Sequence, residues 1–144
     1  MTSIPGAQQL VSIFGYWPTF HDAEVIRFSI ERHADYAQGP VVEADVYVFE
    51  ITQEISPTGH YVLRHHTMAT LRFIAVANLT LEGFNNQNAL MGITIQDIRE
   101  RQLEGLSYEV SFASSFGMST TFLCRQAELV TVHKWNPNTR SPAA

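Results

Sequence analysis

His21, Asp22 and Glu24 stand almost side by side, directly after an aromatic run, Tyr16-Trp17-Pro18-Thr19-Phe20. A histidine with a neighbouring carboxylate can act as a general base, and two such side chains can hold a metal or a polar ligand. Adjacent residues of a strand face opposite sides, so His21 and Asp22 converge only if the backbone turns there, whereas Asp22 and Glu24 can share a face. The competing reading is architectural and carries more weight. Pro18 restricts its own φ and keeps Trp17 out of the helical region, which makes the run a turn. Asp22 is then expected to accept backbone amides, and His21 to pack on Tyr16 or Trp17.

His60, Tyr61, Arg64, His65 and His66 form a second group. Zinc takes three or four ligands from at least two segments, and His21, His66 and a carboxylate could supply them. The spacing contains neither His-x-His nor His-Glu-x-x-His, so no metal is expected. Arg64 falls opposite an acidic strand, where Glu50 lies on an apolar phase and needs a partner. The candidate ligand site is therefore His21, Asp22, Glu24, Arg64 and His66. Ser114-Ser115 lacks a nucleophile elbow, and the glycines are scattered at turns, which gives no phosphate loop. Neither a cofactor nor a catalytic residue is expected.

The elements that must position these groups follow from periodicity. Ala7–Phe14 reads as a short helix with Leu10, Ile13 and Phe14 on one face, stopped by Gly15. From Glu24 the pattern alternates, with Ile26, Phe28 and Ile30 on one side and Val25, Arg27 and Ser29 on the other. A loop is expected over Ala34–Pro40. Val42, Ala44, Val46 and Val48 share the inner face of a second strand, with Glu43 and Asp45 outside. Ser56-Pro57-Thr58-Gly59 turns the chain into a third strand from Tyr61. Met68–Val76, Leu79–Phe84, Ile93–Asp97, Leu106–Phe112, Met118–Cys124 and Glu128–His133 supply further strands. Asn85-Asn86-Gln87-Asn88 interrupts them and is expected to cap a helical turn through Leu90. The fold class is mainly β: an antiparallel β-sandwich or open barrel of about eight short strands with a short N-terminal helix, one domain over residues 1–135, and a disordered tail over 136–144.

At 144 residues and 45% hydrophobic content the chain can bury a real core. A net charge of −5 argues against nucleic acid as a partner. Four carboxylates lie between Glu43 and Glu54 with no basic residue among them, which reads either as a solvated strand face or as a surface that steers a basic partner. Cys124 is the single cysteine, so a buried structural thiol in a reducing cytoplasm is expected. No signal peptide is recognisable, and no apolar run reaches the ~20 residues that span a bilayer, so no membrane partner is expected.

The run Gly15-Tyr16-Trp17-Pro18-Thr19-Phe20-His21-Asp22-Ala23-Glu24-Val25 resembles the signature of the immunity protein 50 family, small bacterial proteins that accompany polymorphic toxins. Tyr61–Thr67, Leu81–Asn88 and Ser114–Gly117 fit the same pattern, so the resemblance runs from about Phe14 to about Thr131. It implies a toxin-neutralising binding protein whose partner is a cognate protein toxin and which has no catalysis of its own; the sequence leaves open whether it is a monomer or a homodimer. The expected toxin-binding surface is the acidic stretch with Glu43, Asp45 and Glu54. The alternative is a small-molecule or metal-binding domain, enzymatic or not, centred on His21, Asp22 and Glu24.

Overall fold

The computed structural model describes residues 4–33 and 38–143. The start of the expected lead-in and Ala34–Ala37 of the expected loop lie outside them. One helix, α1 (Gln8–Phe14), precedes nine strands: β1 (Glu24–Glu31), β2 (Val41–Ile55), β3 (Tyr61–Ile74), β4 (Ala77–Glu82), β5 (Ala89–Asp97), β6 (Tyr108–Phe116), β7 (Ser119–Cys124), β8 (Gln126–Asn136) and β9 (Ser141–Pro142). They form an antiparallel sheet in the order β4-β7-β6-β5-β1-β2-β3-β8-β9.

The sheet curls into an open barrel because two of its strands run on through corners. Ala75 adopts a left-handed φ of 59° between β3 and β4, and the amide of Arg125, between β7 and β8, donates to the Ile74 carbonyl. Thus β3–β4 and β7–β8 each continue from one half of the sheet into the other. On the opposite side the halves meet at Glu24 of β1, in register with Ala89 of β5. The core fills the space between them. Phe73 of β3 packs edge-on against Phe112 of β6 and Phe122 of β7, while α1 adds buried Leu10 and Phe14.

Val42, Ala44, Val46 and Val48 face inward and are fully buried, as the alternation requires. In β1 the phase differs from the sequence reading. A bulge between Val25 and Arg27 inserts an extra residue, so Val25 and Phe28 both turn to the core and Ile26 is exposed; Ile30 shares the Phe28 face but is exposed near the strand's end. No helical turn forms at Asn85–Leu90; the chain enters β5 at Ala89. Asn88 instead folds back on its own loop. Its Oδ1 accepts the amides of Asn85 and Met118, and its Nδ2 donates to the Asn85 carbonyl. At the C-terminus, where a disordered tail was expected, Asn136 Oδ1 accepts the amides of Asn138 and Thr139. This turn returns the chain to pair Ser141 with Asn136.

Candidate functional site

The aromatic run is partly architectural. Phe20 is 1% exposed and packs at 5.6 Å against Trp17, which is half-buried. Tyr16 is exposed. The Thr19 carbonyl accepts the Ile93 amide, and the Asp22 amide donates to Leu90, so this segment lines the flank of β5. Phe20 and Asp22 both take left-handed φ values, 66° and 64°, a strained choice for a bulky residue that deep burial of the Phe20 ring holds in place. This geometry lets neighbouring residues converge: His21 Nε2 lies 3.6 Å from Asp22 Oδ2, with both side chains about half exposed. The expected partners are not those found. No described amide donates to the Asp22 carboxylate. The His21 ring packs on neither aromatic; its Nδ1–H donates to the Met91 carbonyl at 3.2 Å.

The structure divides the five candidate ligand-site residues among three places. His21 and Asp22 stay together, and His21 borders a hollow shared with Tyr16, Phe49 and Glu50. Arg64 belongs to the hairpin. It lies opposite Glu50 and donates from Nε to Oε1 at 2.7 Å. Tyr16 donates to the other carboxylate oxygen at 3.0 Å. These bonds, led by that of Arg64, hold the Glu50 carboxyl below its ordinary range. Glu24 and His66 belong to a third place, joined through Tyr47. Ala23 and Val25 point into the core, so Glu24 points out. Tyr47, between Val46 and Val48, also points out and is the cross-strand neighbour of Glu24. Tyr47 Oη lies 2.6 Å from His66 Nδ1. Burial, and then the Glu24 charge, push the Tyr47 hydroxyl up to about 12, so it keeps its proton and can donate to His66. Among the described residues no three His, Cys, Asp or Glu side chains converge as a metal site would need.

Glu43 and Asp45 do face outward, but neither charge is free. Arg27 of β1 reaches both. Arg72 of β3 donates to Glu43 at 3.0 Å and to Glu128 of β8 at 3.2 Å, and Thr70 donates to Asp45 at 2.7 Å. The stretch that is acidic along the chain becomes, across four strands, a network of alternating sign. Glu54 stands apart on the hairpin, and among the described residues no ion pair reaches it.

Sequence reasoning found that hairpin but not that its end projects beyond the neighbouring strands. The pairing of β1 with β2 ends at Glu24 and Tyr47, and that of β8 with β3 at Lys134 and Thr67, yet β2 and β3 continue together to Ile55 and Tyr61. A left-handed His65 (φ 59°) marks the bulge where this arm leaves the sheet. Ile51 opposite Leu63 and Ile55 opposite Tyr61 are all exposed. The missed signal was length: the alternation on either side of Ser56–Gly59 outlasts that of the neighbouring strands.

The match that decides the family covers almost the whole of this architecture. The family model for immunity protein 50 matches residues 6–135. The chain belongs to that family. The match spans α1, the aromatic turn, the arm and all strands but β9. No curated protein and no solved structure matches the chain. No helix among the described residues is long and apolar enough to cross a membrane.

Proposed function

We propose that this member of the immunity protein 50 family neutralises a protein toxin by binding it, without chemistry of its own. The observation that carries the reading is the family match over residues 6–135. The β2–β3 arm supports a binding mode. A two-stranded hairpin with water on both sides is marginally stable alone. Paired apolar side chains at its end, together with strand edges free of neighbours among the described residues, are what a partner protein covers. The proposed surface is the arm, with Ile51, Ile55, Tyr61, Leu63 and Glu54, continued onto the outer face that carries Glu43 and Asp45. Because arginines share the charges of Glu43 and Asp45, the arm contributes most of the affinity and Glu54 with the overall negative charge contributes to steering.

The test is co-expression with the product of the neighbouring gene, purification of the complex and binding kinetics at several salt concentrations. Association should slow as ionic strength rises. Ile55→Glu with Tyr61→Glu should weaken binding at least ~100-fold while the rest of the sheet stays folded. Unchanged affinity would remove the arm from the surface. If the wild type binds no neighbouring gene product, the immunity reading itself fails.

A further inference from the structure

A cavity of about 400 Å³ opens on the outer face where β1, β2, the Phe84–Asn86 loop and the C-terminal turn meet. Its lining includes Tyr47, Phe84 and Trp135 together with Glu24, Asn86 and Arg140. Each wall is set by a different device. Glu24 and Tyr47 are outward-facing cross-strand neighbours. Phe84 is carried by the loop that Asn88 closes on itself and onto Met118. Trp135 is the penultimate residue of β8, and the Asn136 turn brings Arg140 round.

Glu24 is half-buried in this cavity, and among the described residues no hydrogen bond or ion pair reaches its carboxylate. A partly desolvated carboxylate with nothing to pair with is expensive. Aromatic faces around it add attraction for a cation and for the aliphatic stem that carries one. Arg140 is exposed and makes no ion pair with Glu24, so it leaves that charge unanswered.

We propose that this cavity receives a basic side chain of the bound toxin, an arginine or a lysine, with its charge on Glu24 and its stem between Tyr47, Phe84 and Trp135. The inference rests on the immunity reading for the bearer of that side chain, and the protein's net charge of −5 favours a basic bearer. Pro137 and Arg140, which also line the cavity, lie beyond the residues the family model matches. Arg140, on the same lining, adds a like charge beside an incoming cation, so removing it should not weaken binding.

The first experiment needs no toxin. The full chain is titrated with N-acetyl-arginine amide while the Trp135 indole NH is followed by NMR, its signal assigned with Trp135→Phe. Sodium acetate serves as the anionic probe. Saturable shifts with the arginine derivative are expected, weakened at least about tenfold in Glu24→Gln and retained or tightened in Arg140→Gln. No saturation, or saturation by acetate that Arg140→Gln abolishes, would overturn the proposal. The second experiment measures toxin affinity. Glu24→Gln should lose about tenfold or more, mainly through faster dissociation. If the arginine derivative binds but toxin affinity is unchanged in Glu24→Gln, the cavity is not the toxin's anchor, although the immunity reading stands. If the wild type captures no toxin, that reading fails and the first experiment alone decides whether the cavity is a cation site.

Discussion

Arg64 Nε donates to Glu50 Oε1 at 2.7 Å, from directly across the β2–β3 ladder, at the point where the hairpin leaves the sheet. Tyr16 holds the second oxygen of the same carboxylate, and only 14% of the Glu50 side chain is exposed. One carboxylate thus ties the base of the arm to the aromatic turn. The Glu50–Arg64 pair follows from hairpin register about Ser56–Gly59. The Tyr16 bond does not, because it depends on where the turn lies over the sheet.

Glu50 gives the arm a pH dependence of definite sign. Its folded carboxyl sits below the ordinary value of 4.5, chiefly through the Arg64 hydrogen bond and then through Tyr16. A lowered folded value contributes stability that is present above the unfolded value and is lost as pH falls through the folded one. Amide exchange in the arm should therefore be slower in the wild type than in Glu50→Gln at pH near 7. The difference should vanish in acid, below the Glu50 titration. An equal difference at both pH values would assign the effect to packing.

Replacing Glu43 and Asp45 with lysine should cost stability as well as alter binding. Both carboxylates accept from Arg27, and Arg72 and Thr70 lean on them as well. The lysines would set four positive charges across adjacent strands, a loss of ~1–3 kcal/mol read by urea melts. Glu43→Gln and Asp45→Asn keep the shape and should lose less, so they are the variants for binding kinetics. A fully stable double lysine variant would show that the network contributes nothing.

Asn88 is 2% exposed and satisfies two amides and a carbonyl. Asn88→Leu leaves those groups without partners and should cost ~2–4 kcal/mol. Asn88→Asp keeps the acceptor and loses the donor, so a smaller loss is expected. Gly117 belongs to the same joint. At φ 85°, an added Cβ would fall 2.3 Å from the Gln87 carbonyl oxygen and 2.7 Å from Asn88 Oδ1. Gly117→Ala should therefore destabilise comparably and broaden the NMR signals of Phe84–Asn86. Sharp, unshifted signals there would contradict this account of the loop.

Cys124 is fully buried, and burial pushes its thiol up to about 12. The thiolate is the reactive form, so the folded protein should resist alkylation by iodoacetamide at pH near 8. Reactivity should appear together with unfolding as denaturant rises, which makes Cys124 a probe of global opening. Rapid modification of the native protein would mean that β7 opens locally.

Local chemistry in the sequence was enough for the elements that depend on near neighbours. The Val42–Val48 alternation, the Ser56–Gly59 turn and the Met118–Cys124 face are each set by residues one to four positions apart. The Trp17–Asp22 run likewise marks a turn before any contact is known, and its residues carry the family resemblance. Tertiary structure decided what depends on register between distant segments. The bulge after Val25 turned Ile26 of β1 out to solvent. Arg27 and Arg72, far from Glu43 and Asp45 in sequence, became their partners because β1 and β3 flank β2. The cavity at Glu24 is assembled from four separate parts of the chain, and the arm is defined by where β1 and β8 stop. Side-chain type and spacing report on a strand's own faces. Which charges are neutralised, and which carboxylate is left facing rings without a partner, is fixed only when the strands take their order in the sheet.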